Sequence, residues 1–361
     1  LPARNEALGL PRPWDQQWSL RLQQIVAYET DLLDFGDLFD GSRVVAEKVE
    51  ELKGQAREEL ARIEAMGGAV AAVESSYMKQ KLVESNTRRI TRIEGGEQIV
   101  VGVNKFTQAE ESPLAGGGDQ GGAILTVDPK AEQEQIERLK AWRAGRDNAA
   151  AQAAVAELRR AATEGRNVME PSIACAHAGV TGGEWAEVLR DVYGEYRAPT
   201  GVGRAATGSG GSGMQEVRAR VEEVSSRLGR RIKILVGKPG LDGHSNGAEQ
   251  IAVRARDAGM EVVYEGIRLT PAQIVNAALE ESVHVVGLSI LSGSHVPLVM
   301  EVLERMRAAG LGDVPVIAGG IIPPEDEKAL LTAGCARIYT PKDYDLTAIM
   351  GDIVGIVAAA G

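Results

Sequence analysis

The stretch Lys238-Pro-Gly-Leu-Asp-Gly-His-Ser-Asn-Gly247 lies at the centre of the most regular part of the chain. The apolar run before it, residues 232–236, is typical of a buried parallel strand, and residues 248–258 after it fit a helix that packs on a sheet. Open α/β sheets bind their ligands in loops that follow the carboxyl ends of parallel strands. The stretch therefore predicts a strand–loop–helix unit whose loop carries the binding groups.

The same alternation of strand and helix continues on both sides of this loop, from residue 214 to residue 361. The predicted strands are 232–236, 261–264, 284–289, 314–318 and 336–339. Five strands that alternate with helices predict a doubly wound parallel sheet, flavodoxin-like in strand order, and hence an α/β fold class.

The first part of the chain has longer helices and less regular spacing. Asp15 is predicted to cap a helix that runs to about residue 29, and further helices are predicted for 44–64 and 69–93. An apolar run at 98–103 predicts a short strand after Gly95-Gly96. These pieces alternate as the last part of a β/α barrel would, but eight strands are needed to close one.

Gly-rich segments separate these two parts. Residues 107–128 indicate an exposed linker, residues 131–165 a long helix with a break near Gly145, and residues 183–193 another helix. The Gly- and Ser-rich run at 198–213 indicates a flexible tether. We therefore predict three regions: 1–114 as the end of the barrel, 115–213 as a helical linker, and 214–361 as a ligand-binding domain.

Composition narrows the function classes. The 361 residues carry a net charge of -11 and only 4% aromatic residues, which argues against a nucleic-acid partner or an anionic membrane surface. No apolar run reaches the length of a membrane span. The two distant cysteines, Cys175 and Cys335, fit a reducing cytoplasm, where we expect the protein to work. Because the chain begins at Leu1 directly before structured sequence, we expect it to be part of a larger protein.

The chemistry-bearing residues of the loop are Lys238, Asp242 and His244. A histidine two residues after an aspartate can bind a metal while the carboxylate holds its other ring nitrogen. The four histidines and two cysteines are too scattered for a zinc site, and we expect His284 and His295 to be structural. A polar turn whose histidine caps a neighbouring group has the same short pattern, so the loop alone leaves that alternative open.

The pattern Asp242-Gly-His-Ser-Asn-Gly247 resembles the cobalamin-binding fingerprint of corrinoid enzymes. The resemblance implies that His244 coordinates cobalt in place of the cofactor's own dimethylbenzimidazole base. It also implies that Asp242 holds the other ring nitrogen, that Lys238 pairs with Asp242, and that Gly247 lets the helix start close to the nucleotide tail.

Two more strand ends fit the same resemblance. Ser289-Ile-Leu-Ser-Gly293 closes the third predicted strand and Gly319-Gly320 the fourth, where the family lines the slot for the displaced base. Tyr339-Thr340 at the end of the fifth strand is either a further tail contact or, equally well for Tyr339, core packing. The predicted cofactor-binding residues are Lys238, Asp242, Gly243, His244, Ser245, Asn246, Gly247, Ser289, Leu291, Gly293, Gly319, Gly320, Tyr339 and Thr340, with His244 as the cobalt ligand.

The resemblance extends over nearly the whole chain. Residues 5–35, Gly102-Val-Asn-Lys-Phe106 and residues 214–361 look like the C-terminal half of acyl-CoA mutases of the methylmalonyl-CoA mutase family. Within the family, Leu288-Ser-Ile-Leu-Ser-Gly-Ser-His295 and Tyr339-Thr-Pro-Lys-Asp343 are most similar to the ethylmalonyl-CoA mutases.

This resemblance implies an adenosylcobalamin-dependent radical isomerase that interconverts ethylmalonyl-CoA and methylsuccinyl-CoA. It further implies an acyl-CoA substrate, a homodimer and a GTPase chaperone that loads the cofactor. The residues that hold substrate lie mostly upstream in this family, so we assign no catalytic residue to this chain and expect that it is inactive alone. The alternatives are methylmalonyl-CoA mutase or a related acyl-CoA mutase, a non-catalytic corrinoid carrier or sensor, and a flavodoxin-like nucleotide binder without cobalt.

Overall fold

The computed structural model of this chain describes residues 13–108, 129–197, 199–200 and 212–361. The chain forms two compact units, one made of Leu1–Leu125 with Ala198–Gly361 and the other of Thr126–Arg197. Within the described ranges, none of the helices combines the length and the apolar character that crossing a membrane requires.

The centre of the first unit is a parallel sheet of five strands. The strands are β1 (Lys233–Gly237), β2 (Glu261–Val263), β3 (Val285–Ile290), β4 (Val316–Gly320) and β5 (Arg337–Tyr339). Their order across the sheet is β2-β1-β3-β4-β5, and every pairing is parallel. The predicted α/β fold with a flavodoxin-like, doubly wound sheet is therefore confirmed.

Helices cover both faces of this sheet. The helices around it are α9 (Ser212–Leu228), α10 (Asn246–Asp257), α11 (Pro271–Glu280), α12 (His295–Ala308), α13 (Pro324–Ala333) and α14 (Leu346–Ala360). Ile234 and Val236 of β1 pack in the apolar cluster with α9, α10 and α14, whereas Leu235 packs with α11 and α12 on the other face. Burial on both faces explains why the strand sequence is a continuous apolar run.

The rest of the first unit is helical. Its helices are α1 (Pro13–Tyr28), α2 (Arg43–Ala65), α3 (Ala69–Glu74) and α4 (Tyr77–Glu94), with a 3₁₀ turn at Asp31–Asp34. The helix predicted for 69–93 is interrupted at Ser76, whose φ of 67° is left-handed and ends the first piece. Asp15 lies inside the first turn of α1 rather than at its cap, because the helix already begins at Pro13, a residue suited to a first turn.

The strand predicted for 98–103 is wrong, because these residues fold into a turn with one isolated bridge from Val101 to Lys105. The Asn104 side chain organises the turn: its amide nitrogen donates to the carbonyl oxygens of Ile93 and Gln98, both at 2.8 Å. Its amide oxygen accepts from the Val100 backbone at 2.8 Å. A side chain that satisfies three backbone groups removes the need for a strand partner.

The second unit contains four helices among its described residues. They are α5 (Pro129–Gly145), α6 (Asn148–Thr163), α7 (Met169–His177) and α8 (Gly182–Tyr193). The break predicted near Gly145 is where α5 ends, and Asp147 caps α6 by accepting from two backbone amides. α7 was not predicted. Most of the predicted linker at 107–128 and tether at 198–213 lies outside the described residues.

Candidate functional site

The loop between β1 and α10 is fixed by its backbone. The Lys238 carbonyl accepts from the Leu269 amide at 3.1 Å, and the Gly240 amide donates to the Leu269 carbonyl at 3.0 Å. Gly240 has a φ of +84°, and a Cβ there would lie 2.9 Å from the Leu298 side chain. The turn thus needs glycine both for its conformation and for the space.

Asp242 is the centre of the loop. Its side chain is 4% exposed, and one carboxylate oxygen accepts from Lys238 Nζ at 2.6 Å and from the Leu291 amide at 3.1 Å. The other oxygen accepts from the His244 amide at 3.0 Å and lies 2.7 Å from His244 Nδ1. Burial raises the pKa of this carboxyl, but the hydrogen bonds from Lys238 and His244 outweigh it and hold the pKa well below its usual range.

His244 projects away from the loop, with a side chain that is 75% exposed. An ionised carboxylate can only accept, so Nδ1 carries the proton in the bond to Asp242. In the neutral ring the lone pair is then on Nε2, which has no protein partner within the described residues. This is the tautomer that a metal needs, held by a carboxylate as in many metal-ligating histidines.

Nothing else in the described part of the chain competes as a metal centre. There, no group of three or more His, Cys, Asp or Glu side chains is placed to hold a metal ion. His284 Nδ1 accepts from the Lys233 amide, and His295 bonds both Asp326 and the Ser292 carbonyl, so these two histidines have structural partners as predicted. His244 could therefore supply one ligand to a metal whose other ligands come from a bound molecule.

A groove of about 400 Å³ opens beside this loop. It lies between α10, α14 and the carboxyl ends of the strands, and most of its lining is apolar. The predicted site residues that line it are Asn246, Gly247, Ser289, Leu291, Gly319, Gly320, Tyr339 and Thr340. Apolar grooves of this size with a few polar groups are typical of small-molecule sites.

Neighbouring atoms limit the side chains that fit at two glycines of the groove lining. A Cβ at Gly320 would collide with the carbonyl oxygen of its strand partner Ile290, so only glycine fits there. A Cβ at Gly247 would point towards the Ser289 hydroxyl at 3.7 Å. The Tyr339 hydroxyl is buried in the wall and has no hydrogen-bond partner among the described residues. Tyr339 thus packs in the core and also lines the groove, and its contact with a nucleotide tail stays a prediction.

The other predicted site residues lie outside the groove lining. Lys238, Asp242, Gly243 and His244 form the loop itself, and Ser245 is buried under it. Gly293 is exposed in the turn before α12 and does not line the groove.

Sequence reasoning missed the contribution of α4. Asn86, Arg89 and Ile90 of this helix line the groove, and Lys79 Nζ donates to the Ser245 hydroxyl at 2.7 Å. The sequence signal for this contact is the apolar face of the helix, which predicts that the helix is buried but does not predict which element it packs against. Sequence distance hides the contact, because Lys79 and Ser245 are 166 residues apart.

Comparisons with known proteins agree with this geometry. The sequence model of the B12 binding domain matches residues 232–346, which contain the whole sheet and the loop. The model described as methylmalonyl-CoA mutase matches residues 2–195, more than half of the chain. The chain belongs to the methylmalonyl-CoA mutase family. The family predicted from residues 5–35, 102–106 and 214–361 is therefore confirmed, and the sheet of this mutase-family chain is a B12-binding domain.

Individual relatives refine the position in the family. Ethylmalonyl-CoA mutase of Cereibacter sphaeroides is 64% identical over 99% of this chain and 54% of its own length. The ethylmalonyl-CoA mutase of Methylorubrum extorquens is 57% identical over 100% of this chain and 52% of its own. Methylmalonyl-CoA mutase of C. sphaeroides is 36% identical over 94% of this chain and 47% of its own length. The chain thus spans about half the length of these relatives. A solved cobalamin-binding protein from Desulfitobacterium hafniense is 21% identical over 62% of this chain and 92% of its own length, with a TM-score of 0.31.

Proposed function

We propose that this chain is the cobalamin-binding part of an adenosylcobalamin-dependent carbon-skeleton mutase. The observation that carries the proposal is the exposed His244 imidazole, whose Nδ1 is bound to Asp242 and whose Nε2 has no partner in the described part of the chain and could ligate cobalt. When bound, adenosylcobalamin supplies homolytic cobalt–carbon chemistry, which no side chain can supply.

The residues present fit such a cofactor. His244 would hold the cobalt through Nε2, Asp242 fixes the tautomer of the ring through Nδ1, and Lys238 keeps Asp242 ionised through the 2.6 Å contact. The groove beside the loop fits the displaced base, with Ser289, Leu291, Gly319, Gly320, Tyr339 and Thr340 around it. The unpartnered Tyr339 hydroxyl supports this assignment, because a buried polar group without a partner is destabilising unless a ligand satisfies it. Asn246 and Gly247, in the first turn of α10, also line the groove, whereas Gly243, Ser245 and Gly293 lie in the loops beside it.

We further propose that the full-length protein interconverts ethylmalonyl-CoA and methylsuccinyl-CoA. The identities of 64% and 57% to ethylmalonyl-CoA mutases, against 36% to a methylmalonyl-CoA mutase, support this substrate. Residues 1–114 then complete a β/α barrel that holds the acyl-CoA, residues 115–213 are a helical linker, and residues 214–361 carry the cofactor. A homodimer, a GTPase chaperone for cofactor loading and a cytoplasmic location complete the proposal.

The cofactor role is tested with methylcobinamide, a corrinoid without a nucleotide base of its own. Binding should convert its absorption spectrum from the water-ligated to the imidazole-ligated form, because the exposed His244 imidazole lies beside the groove and can replace the water. His244→Ala should abolish the conversion, whereas His177→Ala, at an exposed histidine of the other unit, should leave it intact. An imidazole-ligated spectrum in the His244→Ala variant would show that His244 is not the ligand. Failure of the wild-type chain to bind methylcobinamide would contradict the proposed cofactor.

The substrate is tested in the full-length protein loaded with adenosylcobalamin. Ethylmalonyl-CoA should give a kcat/KM at least about tenfold above that of methylmalonyl-CoA, because an ethyl-sized pocket holds the smaller substrate less well by about one methylene group. A reversed ratio would assign the protein to methylmalonyl-CoA. Corrinoid binding without turnover of either thioester would point to a carrier or sensor module.

A further inference from the structure

Helix α4 forms one wall of the groove beside His244. Asn86, Arg89 and Ile90 lie on this wall, opposite residues of β3, β4 and α14. The helix belongs to the part of the chain that matches the mutase model, residues 2–195, and not to the part that matches the B12 binding domain, residues 232–346. The groove of this chain is thus built from both parts of the sequence. We call these three residues the α4 wall.

Polar contacts hold α4 against α10 along its whole length. Lys79 Nζ lies 2.7 Å from a carboxylate oxygen of the buried Glu249. In the middle, the Thr87 hydroxyl donates to the Gln250 side chain at 3.1 Å. At the far end, Arg254 donates to Glu94 at 2.5 Å, and the other oxygen of Glu94 accepts from the Leu346 amide at 3.0 Å.

Val83 adds an apolar contact, since it is fully buried in the cluster that includes α10 and α14. A helix fixed at three points is a rigid wall, which can present side chains to a ligand in a defined geometry.

Two polar groups on the α4 wall have no partner among the described residues. The Asn86 amide nitrogen is buried without a hydrogen bond, which leaves its donors unsatisfied in the described structure. Arg89 lies at the exposed side of the groove and makes neither a hydrogen bond nor an ion pair within the described residues. By contrast, Asp343, the carboxylate that also lines the groove, already accepts from the Thr340 amide at 2.8 Å. The groove therefore offers unused donors and a positive charge on the α4 side.

These observations assign a ligand chemistry to each side of the groove. The floor, with Val236, Gly287, Leu288 and Ile317, is apolar and suits an aromatic base. The α4 wall, with an amide donor and a guanidinium, suits a sugar and a phosphate, because guanidinium groups bind phosphate with charge-assisted hydrogen bonds. A nucleotide has these two parts, one beside the other.

We propose that α4 recognises the nucleotide tail of the cofactor, with Arg89 paired to the tail phosphate and Asn86 donating to a sugar or phosphate oxygen. This inference rests on the proposed cofactor role and adds to it a specificity for corrinoids that carry the nucleotide tail. In this proposal His244 binds the metal, whereas the α4 wall binds the nucleotide tail. Corrinoids that lack the tail then lose the contribution of α4 but keep that of His244.

The test compares methylcobalamin with methylcobinamide, which carry the same corrin and upper ligand but differ in the nucleotide tail. Dissociation constants for both are measured in the whole chain by absorbance and tryptophan fluorescence titration. Arg89→Met and Asn86→Leu should weaken methylcobalamin binding about tenfold or more and change methylcobinamide binding less than about twofold. Arg88→Met removes the neighbouring arginine, which does not line the groove, and should change neither constant.

Each result has one interpretation. Weaker binding of methylcobalamin alone supports recognition of the tail by α4, and the salt dependence of that binding should fall in Arg89→Met because a charged contact is lost. Equal weakening of both corrinoids would overturn the proposal, because the substitutions would then act through the fold of the chain. No change for either corrinoid would overturn it too, because the α4 wall would then not contact the tail. Failure of the wild-type chain to bind either corrinoid would instead overturn the proposed function, so the two failures are distinguishable.

Discussion

Lys79 Nζ lies 2.7 Å from Glu249 Oε1 and 2.7 Å from the Ser245 hydroxyl, so one ammonium group joins α4 to the first turn of α10. The Glu249 side chain is only 1% exposed, whereas that of Lys79 is 28% exposed. Ser245 is the residue after His244, and the same contact therefore holds the start of the helix that follows the β1–α10 loop. Lys79 thus compensates the buried charge of Glu249 and, through Ser245, also positions the β1–α10 loop.

Lys79→Met should lower the free energy of unfolding by roughly 2–4 kcal/mol, because it leaves the Glu249 carboxylate buried without its counter-ion. Lys81→Met is the matched control: Lys81 lies on the same helix, but its contact with Glu84 at 3.2 Å is exposed on the lysine side. An exposed pair contributes about 1 kcal/mol or less. Urea denaturation followed by circular dichroism measures both variants.

Glu249→Gln in the Lys79→Met background should recover part of the lost stability, because the substitution removes the uncompensated charge. The interpretation as a buried ion pair would be wrong if the two lysine variants lost the same free energy. It would also be wrong if the second substitution made the first one worse.

The Lys238–Asp242 pair should make stability depend on pH. The folded pKa of Asp242 is held below its unfolded value of about 3.9, so its stabilising contribution is complete above that value and is lost as the pH falls towards the folded pKa. We compare the wild type with the double variant Lys238→Met/Asp242→Asn, which lacks the pair. The difference in free energy of unfolding between them should shrink by about 0.7 kcal/mol from pH 6 to pH 3.5.

The comparison removes the contribution of every other carboxyl group, because both proteins carry the rest of the sequence unchanged. A difference that stays constant, or that grows as the pH falls, would contradict a depressed pKa at Asp242. Urea denaturation of the cofactor-free chain at several pH values provides the measurement.

The sheet and the groove could be predicted from the sequence because local rules decide them. A strand buried on both faces is a short apolar run, and β1 lies at Lys233–Gly237 where residues 232–236 were predicted. Since the carboxyl ends of parallel strands meet at one edge, Ser289, Gly319 and Tyr339 had to lie together once the strands were assigned.

Contacts between distant segments could not be predicted in this way. The apolar face of α4 indicates burial but not the partner, and the pairing of Thr87 with Gln250 joins residues 163 positions apart. The run at 98–103 has the composition of a strand, but the side chain of Asn104, one residue beyond it, satisfies the backbone as a turn. A single polar side chain thus overrode an apolar pattern, which composition alone does not reveal.

Gly320 and Gly319 should respond differently to the same substitution. Gly320→Ala would drive a Cβ into the carbonyl oxygen of Ile290, and we expect a loss of about 3 kcal/mol or more in the free energy of unfolding. Gly319→Ala would place its Cβ 3.7 Å from the Tyr339 carbonyl oxygen, an ordinary contact, and should cost less than about 1 kcal/mol. Equal losses in urea denaturation would show that the clash at Gly320 is relieved by movement of the strand.

Tyr339→Phe should separate the ligand role of the hydroxyl from the packing of the ring. The hydroxyl is buried and has no hydrogen-bond partner in the described ranges, and burial raises its pKa well above the usual range. Removing it should therefore leave the cofactor-free chain as stable or up to about 1 kcal/mol more stable. If the hydroxyl bonds the nucleotide tail, the affinity for methylcobalamin should fall about three- to tenfold. Tyr264→Phe is the control, because the hydroxyl of Tyr264 is also buried and unpartnered within the described residues but does not line the groove. Identical methylcobalamin affinities for the two variants would mean that the Tyr339 hydroxyl does not contact the tail and that the ring acts only as part of the core.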